Sequence, residues 1–129
     1  MYKTITLFFC LAVLQSTRCQ GIDTLLPKIT AEKDISKRVE IIFSFFSKMG
    51  ETDPLKSLEN IQQLLTYAQE KKDKVSEAYA VTSVGYNYRG LGNLQKSLEY
   101  ALRGDSMARN IGNETLMSIT SNVLGNIYK

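Results

Sequence analysis

The sequence predicts an all-α protein built of antiparallel helix pairs, and three observations support this. The 129 residues include only two prolines, and long stretches contain no glycine, which disfavours a turn-rich β fold. Helix-capping residues recur about every twenty residues. The stretch Lys-Ser-Leu-Glu occurs at 56–59 and again at 96–99, so we expect a helical unit that repeats at this interval.

The first two helices follow from capping signals. Asp34 can cap a helix that runs to Met49, with Gly50 just beyond its end. Asp53 followed by Pro54 is a strong start signal, because an acidic cap precedes a proline at the first helical position. This second helix is expected to end near 71–72. Its apolar face has residues spaced three and four apart, namely Leu58, Ile61, Leu64, Leu65 and Ala68.

Three further helices are expected on the same grounds. Asp73 starts a third helix that ends around 89–90, and Asn93 caps a fourth that ends before Gly112. Asn113 opens a fifth, which continues towards Lys129. Connections of only a few residues require consecutive helices to pack antiparallel.

The third and fourth helices carry a motif of small and apolar residues. It reads Val81-x2-Val84-Gly85-x2-Tyr88 and then Ser97-x3-Ala101, and Leu124-Gly125-x2-Tyr128 begins it again. This resembles the tetratricopeptide repeat, whose helix pair reads W-x2-L-G-x2-Y followed by A-x3-F. The resemblance covers roughly residues 35–129. It assigns repeat packing to Val84, Gly85, Tyr88, Ser97, Leu98, Ala101, Leu124, Gly125 and Tyr128.

The resemblance implies a right-handed α-solenoid of about two and a half units. These are a degenerate unit at 34–74, a second unit at 75–114 and a truncated third at 115–129, which is one helix. The period of 40 exceeds the usual 34, and no proline closes the second helix of a pair, so that helix can run longer. Within the repeated Lys-Ser-Leu-Glu, Ser57 and Ser97 are expected to keep paired helices close.

Looser units of this length resemble the arrays at the exported N-termini of bacterial sensor histidine kinases and related regulators. In the family, the first helices of successive units form a concave surface that binds extended or helical peptides. The residues that this implies here, spaced three and four apart on their helices, are Tyr79, Thr82, Tyr86, Arg89, Asn122 and Asn126. The corresponding stripe of the first helix, which includes Phe46, is apolar. The alternative is that Tyr86 and Phe46 simply pack against neighbouring helices.

Residues 1–19 have the features of a secretion signal. Lys3 precedes an apolar centre at 5–14, and Thr17 and Cys19 provide small residues for cleavage after 19. Removing Lys3 and Arg18 would leave 14 of the 16 basic side chains against 13 acidic ones, and it would remove both cysteines. Residues 20–33 would form an N-terminal leader. We expect an exported protein, periplasmic or membrane-associated in a bacterium; the alternatives are an uncleaved anchor and a buried core helix.

The sequence contains little evidence of a catalytic site. The chain has no histidine, which removes the commonest general base and metal ligand. A nearly neutral mature chain provides no electrostatic basis for binding nucleic acid. We therefore expect no enzyme activity, no cofactor and no metal, and membrane contact only through the signal sequence or a downstream segment.

The leading interpretation is a protein-interaction scaffold with a protein or peptide partner, forming the exported sensory part of a larger signalling protein. One alternative is the N-terminal fragment of a sensor histidine kinase or transcriptional regulator whose catalytic or DNA-binding output lies beyond Lys129. Another is an oligomeric structural subunit that completes itself. The apolar stripe of the last helix has no following helix in the sequence, so we expect self-association through it.

Overall fold

The computed structural model describes residues 21–129, and these residues are helical nearly throughout. After a 3₁₀ turn at Ile22–Thr24, the helices are α1 Leu26–Ala31, α2 Ile35–Thr52, α3 Pro54–Lys71, α4 Lys74–Gly90, α5 Leu94–Ile111 and α6 Glu114–Tyr128. The described part of the chain contains no strand, which confirms the all-α prediction. The signal sequence predicted at 1–19 lies outside the described residues.

The five long helices begin where the capping residues predict. In each case a side-chain oxygen accepts a hydrogen bond of 2.9–3.2 Å from the backbone N–H three residues later. The five capping residues are Asp34, Asp53, Asp73, Asn93 and Asn113. These bonds satisfy donors that the helix itself leaves without a partner.

The end of α2 differs from the prediction. The helix continues through Gly50 to Thr52 instead of ending at Met49. It stops at Asp53, whose φ of −148° and ψ of 88° lie outside the helical region. The ring of Pro54 disfavours helical geometry in the residue before it, so the proline and not the glycine ends the helix.

The leader contains two elements that the sequence analysis did not predict, the 3₁₀ turn and α1. Ile22, Leu25 and Ile29 are buried in the main hydrophobic core. The Thr30 hydroxyl forms a hydrogen bond with the hydroxyl of Tyr67 in α3. Residues 22–31 therefore pack onto α2 and α3 as part of the folded domain.

Helix α4 is the centre of the fold. It lies along α5 and also contacts α3, α6 and α2. All eight residues from Val75 to Thr82 are buried. A helix that is covered on every side in this way leaves little of its N-terminal half accessible to a partner.

Two glycines allow α4 and α5 to approach closely. A Cβ added to Gly85 would lie 2.7 Å from the Ser97 carbonyl oxygen and 2.8 Å from the Ala101 nitrogen. The Ser97 hydroxyl donates to the Gly85 carbonyl oxygen at 2.7 Å. Gly104, which the sequence analysis did not single out, is equally restricted, since an added Cβ would overlap the Thr82 side chain. The predicted close packing of Gly85, Ser97 and Ala101 is present.

The other predicted packing positions differ between the predicted second and third units. Val84 is buried, Leu98 is half-buried, and Tyr88 stacks on Tyr100 with ring centroids 5.8 Å apart. In the third unit Leu124 is half-buried and Tyr128 is 67% exposed. A Cβ on Gly125 would meet no described atom within 4 Å. Gly125 and Tyr128 do not pack as predicted, because no described helix lies against their side of α6.

A buried carboxylate joins α5 to α6. Asp105 accepts hydrogen bonds from the Thr120 hydroxyl at 2.9 Å, from the Ser121 hydroxyl at 3.2 Å and from Arg109 Nε at 2.8 Å. Burial by itself raises the pKa of Asp105, but the bonds from Arg109, Thr120 and Ser121 and the charge of Arg109 together lower it below its ordinary value. Asp105 is therefore ionised at neutral pH and holds the two helices together.

The N-terminal ends of α2, α4 and α6 meet at one end of the molecule. Arg38 forms an ion pair with Asp73, the capping residue of α4. The side-chain amide of Asn113, the capping residue of α6, donates to the Ser36 hydroxyl at 3.1 Å. These polar contacts hold α2 against the other two helices at this end. None of the helices within residues 21–129 combines the length and apolar character needed to cross a membrane.

Candidate binding groove

A groove with a volume of about 220 Å³ lies between α2, α4 and α6. Phe43, Phe46 and Ser47 line it from α2; Tyr79, Ser83, Tyr86 and Asn87 from α4; and Ile119, Asn122, Val123 and Asn126 from α6. Ser57 and Ile61 of α3 are both buried and form its floor. The groove involves the parts of α2, α4 and α6 away from the end where Arg38 and Asn113 hold them together.

The walls of the groove combine aromatic rings with uncharged polar groups. Phe43 is 49% exposed and Tyr86 is 41% exposed, so two helices present rings to solvent. Phe46 is buried and stacks on Tyr79 with ring centroids 6.3 Å apart. None of the described residues that line the groove is charged. Transfer of an unpaired charge into such an environment is costly, so the groove favours a neutral group.

The polar groups of the groove differ in how far their hydrogen-bonding capacity is used. The Asn87 amide donates to the Ser83 carbonyl oxygen at 2.8 Å. Burial raises the pKa of the Tyr79 hydroxyl, and a hydrogen bond with Ser83 offsets only part of that rise, so the phenol stays neutral. The Ser57 hydroxyl is buried and has no hydrogen-bond partner within the described chain. An amide or hydroxyl with unused capacity can bind a polar group of a partner.

Four of the six residues predicted for the concave surface line this groove, namely Tyr79, Tyr86, Asn122 and Asn126. Arg89 lies beside it, in a second depression that also involves Pro54 and Leu94. Whether any of these residues binds a partner stays a prediction.

The prediction that Thr82 belongs to the concave surface is wrong. Thr82 is buried against α5, where Gly104 lets the two helices approach, and its hydroxyl donates to the Ala78 carbonyl oxygen at 2.9 Å. The groove-facing residues of α4 follow Tyr79 at intervals of four and seven, which gives Ser83 and Tyr86. The residue three positions after Tyr79, which is Thr82, faces α5 instead.

Several residues of the groove were not identified from the sequence. Ser83 could have been found from its helical spacing to Tyr79. Phe43 and Ile119 are ordinary apolar residues of amphipathic helices, and nothing local distinguishes them from core residues. Ser57 was expected only to keep helices close. Within residues 21–129, no group of three or more histidine, cysteine, aspartate or glutamate residues could hold a metal ion.

Comparison of the chain with models of protein families, with curated protein sequences and with solved structures found no match. No known protein therefore supports the resemblance to the tetratricopeptide repeat, which comes from the residues of the motif.

Proposed function

We propose that this chain is a protein-interaction module built of tetratricopeptide-like helix pairs, and that the groove between α2, α4 and α6 holds a segment of a partner protein. The observation that carries the proposal is the groove itself. Helices α2 and α4 present exposed aromatic rings, and α6 adds uncharged polar groups along the same depression. Aromatic side chains on both walls are typical of surfaces that dominate binding energy in protein interfaces.

The positions of the helices support the repeat interpretation. Helices α3 and α5 begin at Pro54 and Leu94 and end at Lys71 and Ile111, so both ends are separated by the interval of the repeated Lys-Ser-Leu-Glu. Helices α4 and α6 begin at Lys74 and Glu114, which lie the same distance apart in the sequence. In a tetratricopeptide array the first helix of each unit faces the concave side, and α2, α4 and α6 are the first helices of the three units proposed here.

A peptide selection tests this function. We would select a random-peptide display library on the full chain and compare binding of the selected peptides to the native protein, Tyr86→Ala and Leu102→Ala. Tyr86 lines the groove, whereas Leu102 is similarly exposed on α5 and lies outside it. Truncating a ring that anchors a partner costs more than about 1 kcal/mol, so Tyr86→Ala should weaken binding by at least about fivefold. Leu102→Ala should have no effect.

The selection can contradict the proposal in two ways. If no peptide is recovered, the chain does not act as a peptide-binding module. If the recovered peptides bind the Tyr86→Ala and native proteins equally, the partner surface lies elsewhere and the proposed groove is wrong.

A second candidate function is self-association through α6. Val123, Leu124 and Ile127 are only half-buried, and Tyr128 is largely exposed. Exposed apolar residues on one helix can form an interface between copies. Sedimentation of the native chain and of Tyr128→Ala would show a concentration-dependent dimer that the substitution weakens; a monomer in both cases would exclude this candidate.

We also propose that the protein is exported and acts as the sensory or interaction part of a larger signalling protein. The residue pattern at 1–19 supports export, and the resemblance to exported kinase-associated arrays supports the larger context. N-terminal sequencing of the protein from its native host should identify Gln20 or a neighbouring residue as the first. Finding Met1 in a cytosolic fraction would contradict export.

A further inference from the structure

Ser57 and Ser97 occupy equivalent positions in the two complete helix pairs, but their surroundings differ. In the pair α4–α5, Gly85 has no side chain, α5 comes close, and the Ser97 hydroxyl donates to the Gly85 carbonyl oxygen at 2.7 Å. In the pair α2–α3, the residues one repeat earlier are Phe45 and Ser57. Phe45 stands where the second pair has Gly85, and α2 lies less closely against α3 than α4 does against α5.

Ser57, which lines the groove, has a buried hydroxyl without a hydrogen-bond partner within the described chain. The residue is only 1% exposed. A buried polar group that lacks a hydrogen bond destabilises the free protein. Alanine would avoid this cost at the same size. A group that supplies the missing hydrogen bond on binding would remove the cost in the complex.

The size and charge of the groove restrict what can bind there. Its volume of about 220 Å³ exceeds the roughly 150 Å³ of a protein cavity that accommodates benzene. The groove therefore has room for one aromatic ring. The rings of Phe43, Phe46 and Tyr86 can contact such a ring in edge-to-face or offset-stacked geometry.

We propose that the groove takes one tyrosine side chain of the partner protein, with its phenol hydroxyl hydrogen-bonded to the Ser57 hydroxyl. The tyrosine ring can pack against the aromatic side chains of the groove, and the neutral phenol avoids placing a charge among uncharged residues. The phenol hydroxyl can either donate a hydrogen bond to the serine hydroxyl or accept one from it. This inference rests on the proposed function, because it specifies which side chain of a bound segment enters the groove.

The test uses two small molecules that differ by the phenol hydroxyl. p-Cresol reproduces the tyrosine side chain, and toluene is the same molecule without the hydroxyl. Each would be titrated into the isotope-labelled full chain, with backbone amide shifts recorded for the native protein, Ser57→Ala and Ser106→Ala. Ser106 is an exposed serine of α5 and serves as the matched control.

We expect p-cresol to shift the amide signals of groove residues such as Phe43, Tyr86 and Asn122. Loss of one hydrogen bond should weaken binding of p-cresol to Ser57→Ala by about 2- to 10-fold. Binding of toluene should change by less than about twofold, because toluene makes no such bond. Ser106→Ala should bind both molecules as the native protein does.

Three results would overturn the inference. The first is that neither molecule shifts groove signals. The second is that Ser57→Ala binds p-cresol as tightly as the native protein does, which would show that the hydroxyls do not pair. The third is that, without any ligand, the groove signals shift with protein concentration and Tyr128→Ala abolishes the shift, since a second copy would then occupy the groove.

The peptide selection separates this inference from the proposed function. If selected peptides bind at the groove but contain no common tyrosine, the function stands and the inference is wrong. If p-cresol behaves as expected but no peptide binds, the site exists and the proposed function is wrong.

Discussion

The replacement Gly85→Ala tests whether α4 and α5 pack as closely as described. The added methyl group would lie 2.7 Å from the Ser97 carbonyl oxygen, which is about 0.7 Å short of the 3.4 Å at which ordinary contact begins. The nearest atoms belong to the backbone of α5, so no side chain can rotate to make room. The helices would have to separate.

The cost of this separation has three contributions. Overpacking of a close contact destabilises by about 1–3 kcal/mol. Separation by about 0.7 Å would stretch the hydrogen bond from Ser97 to Gly85 beyond its normal length, losing about 0.5–1.5 kcal/mol. Alanine in a helix interior is favoured over glycine by about 1 kcal/mol, which opposes both losses. The net expectation is a loss of about 0.5–3.5 kcal/mol in the free energy of unfolding.

Gly125→Ala is the matched control, because Gly125 is also a glycine inside a helix, 40 residues later in the sequence, and an added Cβ there meets no described atom within 4 Å. It should leave stability unchanged or increase it by up to about 1 kcal/mol. Urea unfolding followed by circular dichroism measures both changes. Equal shifts in the two variants, or a stabilised Gly85→Ala protein, would refute the described packing of α4 on α5.

Three further changes test other parts of the fold. Ile29→Ala should lower the free energy of unfolding by about 2–5 kcal/mol, because it removes a fully buried side chain of α1; a loss below about 0.5 kcal/mol would mean that α1 is not docked. Since the pKa of Asp105 is lower in the folded protein, its stabilising effect is present above the ordinary aspartate pKa of about 4 and is lost as the pH falls through the folded-state pKa. Asp105→Asn should therefore reduce the loss of stability on acidification, and an unchanged pH profile would contradict the hydrogen-bond network. Ser97→Ala should destabilise by about 0.5–1.5 kcal/mol, whereas Ser57→Ala should be neutral or stabilising; thermal unfolding that gives equal losses would show that the two serines are equivalent.

Local signals predicted the helix starts well. Asp53 and Asn93 act within a few residues of their own helices, so their effect does not depend on the rest of the fold. Gly50 and Pro54 indicate different ends for α2. The helix ends just before Pro54, because proline constrains the backbone of the preceding residue more strongly than glycine disfavours a helix. A glycine inside a helix costs only about 1 kcal/mol and does not by itself end it.

Tertiary contacts determined what the sequence could not predict. Helix α1 has six residues and would not be stable alone, although Ile29 and the preceding Leu25 are spaced four apart, as on one face of a helix. The burial of Thr82 depends on Gly104 in another helix. The Ser57 hydroxyl has no hydrogen-bond partner within the described chain, whereas the Ser97 hydroxyl donates to the Gly85 carbonyl oxygen. The identical Lys-Ser-Leu-Glu sequence around the two serines does not predict this difference.

The most direct test of the proposed groove is to map a selected peptide on the isotope-labelled full chain by its effect on backbone amide signals. If α2, α4 and α6 form the partner surface, the largest shifts should cluster at Phe43, Tyr86 and Asn122. Signals of the outer face of α5, around Leu102, should remain unchanged. Shifts that cluster around Leu102 while the groove signals stay fixed would contradict the account.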